Sequence, residues 1–249
     1  MFKTYENIFQ ERADSYHAAM QMCPDARAAE FALVLEPLKL EPGQTLCDVP
    51  AGAGYLWRYV GDAQVRYVGV EPSDLFASLF PSHPGAISLR CAMDTLSLPD
   101  ASLDHLISLA GLHHEPDLPA IFREMRRVLR PGGLAVVADV QQGSSTDRFL
   151  NGFVADYNPM GHEGVFLNGS TSAFLEGAGF RVLEDAVHRP QWQFATREEM
   201  GEFLRLLFGI TKASAAATAR AAEDILGLED AHGAINLAWP LRRLVCQAV

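Results

Sequence analysis

At 249 residues the chain is long enough for one α/β domain with insertions, and a composition 49% hydrophobic and 20% charged provides for an ample core. The formal net charge of −11 excludes a broad basic face for nucleic acid, and no apolar run reaches the roughly 18–20 residues that span a bilayer. Four scattered cysteines, Cys23, Cys47, Cys91 and Cys246, contain no C-x-x-C pair, so neither a disulfide framework nor a cysteine zinc site is expected. Residues 1–6 lack the apolar segment of a secretory signal, and a cytoplasmic location is the default expectation.

Helices are expected over the first forty residues, where Ala13, Tyr16, Met20, Phe31, Leu35 and Leu38 recur at helical spacing and Pro24 interrupts. A turn over 40–44 delivers the chain into a buried strand over 46–49, followed by Pro50-Ala51-Gly52-Ala53-Gly54 and a helix over 55–59. Such a glycine turn lets backbone N–H groups approach a ligand at a helix N-terminus. A second strand over 65–70 ends in Glu71, at the offset where a carboxylate can take ribose hydroxyls. A short helix over 75–80, a third strand over 87–91 and a fourth over 103–109 follow. The helix over 118–129 carries Ile121, Phe122, Met125, Val128 and Leu129 on one face. It stops at Arg130-Pro131-Gly132-Gly133, where proline and glycine break the helix. A near-continuous apolar strand over 134–140 comes next. Apolar strands separated by helices imply a parallel sheet covered on both faces, with ligands beyond the strands' carboxyl ends.

Past Val140 the regularity changes. Residues 141–170 are polar and glycine-rich, a helix is expected around 171–177, a sixth strand starts at Gly179, and a last strand lies around 241–248. Between the last two strands, a helix-like segment over 197–208 and an alanine-rich one over 213–226 read as a helical cap.

Five segments within 45–140 carry a resemblance. Asp48…Gly52-Ala53-Gly54 resembles a D-x-G-x-G-x-G loop, and Val68-Gly69-Val70-Glu71 a ribose-binding strand end. Leu98-Pro99-Asp100-Ala101-Ser102-Leu103-Asp104 resembles the lead-in to strand four, Leu112-His113-His114…Asp117 the loop after it, and Arg127 to Gly133 the following helix-to-strand turn. In that order they resemble a class I S-adenosylmethionine-dependent methyltransferase of the methyltransferase-11 group. The resemblance implies an α/β, Rossmann-like fold: a seven-stranded, mostly parallel sheet with an antiparallel last strand, N-terminal helices and the cap. It implies one domain over 1–249, comprising a lid over 1–43, a cofactor-binding core over 44–140 and a substrate-side half over 141–249 with the cap at about 190–239. The nicotinamide alternative needs a third small residue in the glycine turn, and the spacing puts Trp57 there.

S-adenosyl-L-methionine is therefore the expected cofactor, with S-adenosyl-L-homocysteine as product. The resemblance sets it against Asp48, Pro50, Ala51, Gly52, Gly54, Glu71, Pro72, Ala92, Met93, Asp94 and Leu109. Two departures stand out. Pro50 replaces the first loop glycine and removes one N–H. Ala92 stands where the family has an adenine-binding acid, so either Asp94 reaches the adenine or backbone groups alone read it.

His113, His114 and His162 are the candidate bases, the first two also readable as loop-holding residues. Tyr16, Tyr157, His162 and Trp192 are candidate acceptor contacts, and Tyr5, Phe9 and Tyr16 a lid or ordinary packing. Asp139, at the end of strand five, could cap a turn or meet substrate. A metal site from His113, His162, Glu163 and Asp139 lacks the i, i+4 spacing of a zinc helix, and none is expected. The acceptor is expected to be a small molecule methylated at O, N or C. The stretch 192–210 is faintly similar to the biotin-pathway methyltransferase that esterifies a malonyl group on a carrier protein. That likeness raises an acyl carrier protein as an alternative partner, with Arg205 or Arg242 as a carboxylate contact. A non-catalytic cofactor-binding or interaction protein is the class-level alternative. No nucleic-acid or membrane partner is expected, and the chain would act as a monomer or homodimer.

Overall fold

The computed structural model describes residues 3–61, 63–231 and 233–249. Helix α1 (Tyr5–Met22) buries Tyr5, Phe9, Arg12, Ala13, Ala19 and Met20 along one stripe. Pro24 lies in the turn before α2 (Ala28–Leu35). Strand β1 (Thr45–Asp48), wholly buried, leads through the glycine turn to a short α3 (Trp57–Val60). Then come β2 (Arg66–Val70), α4 (Asp74–Ser78), β3 (Ala86–Leu89) and β4 (Leu103–Leu109). Helix α5 (Leu118–Val128) is capped by Asp117, whose side chain accepts from the Ala120 N–H at 3.0 Å, and buries its apolar stripe on the sheet.

Strand β5 (Leu129–Asp139) starts five residues earlier than the sequence pattern indicates. Leu129 already pairs with Leu103, and a bulge around Asp104 absorbs Arg130 to Gly133. After β5, α6 (Ser145–Arg148) runs through a π-helical stretch (Phe149–Val154) into α7 (Ala155–Tyr157). Helix α8 (Thr171–Gly177) and β6 (Phe180–His188) follow, then β7 (Gln191–Phe194), α9 (Arg197–Phe208), α10 (Ala215–Leu226), β8 (Leu228–Ala231), β9 (Ala234–Ala238) and β10 (Leu241–Ala248).

The seven-stranded sheet has the order β3-β2-β1-β4-β5-β10-β6. Strands β1 to β5 pair in parallel, and β10 runs antiparallel to both β5 and β6. This is the expected Rossmann-like sheet with an antiparallel last strand. The region before β10 departs from a purely helical cap. It holds α9 and α10 together with a second, three-stranded antiparallel sheet, β7-β9-β8. Short strands of four paired residues give too little periodicity to register in the sequence. Among the described residues, no helix is long and apolar enough to cross a membrane.

Candidate functional site

The chain reverses at β1 and β4, and the cleft beyond their C-terminal ends is where ligands bind in such sheets. The glycine turn there holds Gly52 at φ 56° and Gly54 at φ 73°, left-handed conformations that a Cβ would strain. The Pro50 ring lies on Gly111, where an added Cβ would come within 2.3 Å of it. The proline that breaks the loop motif thus packs the glycine turn against the loop after β4.

Glu71, fully buried, sits just past β2. Its Oε2 accepts from the Gly52 N–H at 2.7 Å and the Tyr5 hydroxyl at 3.1 Å, and its Oε1 accepts from the Ser73 N–H at 2.7 Å. Burial pushes its pKa up to about 8 against these bonds. Asp48, at the end of β1, accepts from the Tyr67 hydroxyl at 2.5 Å, and burial raises its pKa to about 7. A cavity of about 60 Å³ is lined here by Asp48, Pro50, Ala51, Gly52 and Leu109, and roofed by Tyr5, Phe9 and Tyr16 of α1.

These groups fit an adenosyl cofactor chemically. A carboxylate offers about four lone-pair sites, and Glu71 uses three, one of them on Tyr5. A ribose diol could take the free site and displace Tyr5 from the other. At about 60 Å³ the space is smaller than a nucleoside, and the side chains of α1 form its roof. Among the other expected cofactor contacts, Pro72 is buried beside Glu71, and Gly54 is backed by Phe80 and Pro81. Ala92 and Asp94 are exposed, Met93 is buried in the cluster that contains Phe76, and none of the three lines the cavity.

A second cavity, about 50 Å³, shares Phe9, Tyr16, Arg27 and Ala110 with the first. Its other walls are Arg12, His113, His114, Val140, Leu150, His162, Trp192, Leu207, Phe208 and Trp239. Three expected acceptor contacts, Tyr16, His162 and Trp192, are therefore brought together. Tyr157 is not; its ring packs on Phe153 at 4.6 Å and it lines neither cavity.

The histidines converge from two elements. The His113 Nδ1–H donates to Asp139 Oδ1 at 2.6 Å, and Asp139 also accepts the N–H groups of His113 and Val140. His162 is braced likewise, its Nδ1 2.8 Å from Asn151 Oδ1, which accepts the Gly164 N–H as well. His114 is buried with its Nδ1 unpartnered. Burial, helped by the neighbouring histidines and Arg12, holds His114 and His162 well below the usual imidazole range, so both are neutral.

Two further groups were not foreseen. Arg12, on the buried face of α1, donates Nη2 to the Leu207 carbonyl at 2.7 Å and leaves its buried Nε unpartnered. Burial lowers its pKa to about 10, which still leaves it charged at neutral pH. Arg27 makes a bidentate pair with buried Glu30 (2.7 and 2.9 Å) and donates to the Tyr16 hydroxyl; Glu30 also accepts the Trp192 indole N–H at 2.8 Å. The spacing Tyr5, Phe9, Arg12, Tyr16 was the available signal for Arg12: i, i+4, i+7, i+11 is one helix face. The arginines expected to meet a carboxylate are committed elsewhere. Arg242 pairs with Asp185 at 2.6 Å and Arg205 with Glu202 at 2.7 Å.

Residues 47–137 match the methyltransferase domain family. An uncharacterized methyltransferase of Mycobacteroides abscessus is 36% identical over 102 residues, 39% of either chain. Across the curated relatives it matches, the aligned stretch spans 39–48% of their length. Among solved structures, a complex between the Haloferax volcanii Trm112 methyltransferase activator and a protein assigned as a methyltransferase superposes with TM-score 0.68 at 16% identity, covering 96% of this chain and 97% of that one. The [4+2]-cyclase SpnF superposes with TM-score 0.64 at 18% identity, covering 99% and 96%. At such identities the likeness concerns the fold alone. The motifs and the sheet order agree with that match, and the stretch 47–137 is similar to the methyltransferase domain of S-adenosylmethionine-dependent enzymes.

Proposed function

We propose that the protein transfers a methyl group from S-adenosylmethionine to a small acceptor with a flat, apolar body and an anionic group. The observation that carries this reading is that the two cavities adjoin, with Phe9, Tyr16, Arg27 and Ala110 lining both, Ala110 standing at φ 50° directly after β4. A ligand beside Asp48 and Leu109 would face one beside His113 across the residues that line both cavities, small Ala110 among them. When bound, the cofactor would supply an electrophilic methyl on a sulfonium. The chain's part is to hold and orient, which supplies much of the rate of an in-line displacement. Glu71 would take the ribose hydroxyls, and Asp48 would face the methionyl ammonium. Trp192, Phe208 and Trp239, with ring centroids 4.1–6.3 Å apart in near-parallel pairs, would grip a flat acceptor. The unpartnered Nε of Arg12 would meet its anion.

Calorimetry with S-adenosylhomocysteine should show binding that Glu71→Ala weakens. Incubation with labelled S-adenosylmethionine and panels of aromatic carboxylates and phenols should then give a methyl-sized mass gain. That gain should fall with Arg12→Met while homocysteine-product binding stays. Absence of binding in the wild type would overturn the cofactor assignment; product formation indifferent to Arg12 would overturn the anionic acceptor.

A further inference from the structure

We propose that His113, His114 and His162 form a binding site for one divalent transition-metal cation of the zinc class, which extends the reading above to a metal-assisted acceptor site. One ring nitrogen from each lies within 4.8 Å of the others. Three imidazoles with a fourth position open are the donor set of a catalytic zinc site.

The surroundings are those of ligating histidines. Asp139 takes the Nδ1–H of His113, and Asn151 Oδ1 takes that of His162, so each ring has its Nε2 free. An oxygen acceptor behind the imidazole fixes the tautomer and makes the free nitrogen a better donor. His114 adds a buried ring whose Nδ1 has no hydrogen-bond partner. Glu163, which the sequence offered as a ligand, is exposed and outside the cluster, while Asp139 stands behind His113. Bonds of about 2.1 Å in tetrahedral geometry need nitrogens about 3.4 Å apart, so the rings must draw inward by rotation about their side-chain torsions. A cavity lined by Met160, Gly161, His162 and Glu163, and also by the cationic Lys3 and Arg12, meets the same histidine from the outer side.

Arg12 lines the same cavity and opposes a bare dication. Asp139 offsets one charge, and an anionic oxygen on the open position offsets another. The site therefore suits a metal that carries the acceptor's own oxygen, with Arg12 on the second oxygen of that group.

The test is metal binding by the intact protein, without cofactor or acceptor. After chelator treatment and dialysis, titration with zinc chloride should give one saturable equivalent, and cobalt(II) chloride the visible absorption of a low-coordinate nitrogen site. His162→Gln and His113→Gln should each abolish that absorption. Asp139→Asn should weaken binding about 10- to 100-fold, and His188→Gln, on β6 beside Glu184, should change nothing. Half-buried His162 gives a variant whose fold is checked by its melting curve. No saturable binding in the wild type, or an unchanged cobalt spectrum in folded His162→Gln, overturns the proposal. Metal binding with no methyl transfer would leave this site standing and remove only the activity.

Discussion

Tyr5→Phe isolates the competition for Glu71. The tyrosine hydroxyl occupies Oε2 of the carboxyl group expected to take the ribose, while its ring packs on Phe9 at 4.5 Å and would remain as phenylalanine. A hydrogen bond between neutral groups is worth about 0.5–1.5 kcal/mol and one to a charged group about 1.5–3; with burial raising Glu71 to about 8, the boundary between the two applies. If cofactor binding must break the bond, deleting it removes about 1.5 kcal/mol of resistance, or about tenfold in Kd. The same loss in the ligand-free protein should lower Tm by about 3–6 °C for a chain of this size. Isothermal titration with S-adenosylhomocysteine reads the first effect and a melting curve the second. Tighter binding with a lower ligand-free Tm is the expected pair. Weaker or unchanged binding would show that Tyr5 assists the ligand or stands clear of it, and the competition argument would fail.

Two other perturbations follow from the buried groups. Burial raises Glu71 from 4.5 to about 8 and Asp48 from 3.8 to about 7. A carboxyl with a raised folded-state pKa favours folding below its unfolded value and loses that contribution as pH climbs through the folded one. The ligand-free Tm should therefore fall as pH rises from 4.5 to about 8, whereas S-adenosylhomocysteine, which needs the carboxylate, should bind more tightly and release protons. Calorimetry in buffers of different ionisation heat measures that release; a pH-independent affinity over this window refutes it. Trp192→Phe should cost about 1–3 kcal/mol by stripping Glu30 of one donor in a buried site, read as a drop in Tm. An unchanged Tm would mean that Arg27 alone satisfies Glu30.

The core of the molecule was legible in the sequence because its signals are local. The apolar strands, the glycine turn and the acid at the end of β2 each lie within a few consecutive residues, and the sheet order matches the expectation. What escaped depends on distant pairs. The small sheet joins Gln191–Phe194 to strands beginning some forty residues later, and the pairing of Arg27 with Glu30 gains its meaning only when Trp192 arrives from β7. The start of β5 was misplaced because glycine and proline mark a turn in sequence, while a bulge can hold them inside a ladder. His113, His114 and His162 could be named as candidates, but the bracing of one by Asp139 and another by Asn151 is a tertiary fact.

The shared carboxylate of Glu30 also bears on redesign. Trp192 looks like the natural position for altering which acceptors enter, since it forms one wall of the cavity proposed for them. Yet its indole is tied through Glu30 and Arg27 to Tyr16, which borders the cofactor side as well. Altering that wall would disturb both proposed sites at once. The Phe208 ring stacks on Trp192 and Trp239, meets Phe149 edge-on and has no hydrogen-bonding atom of its own, and a library aimed at new acceptors should begin there.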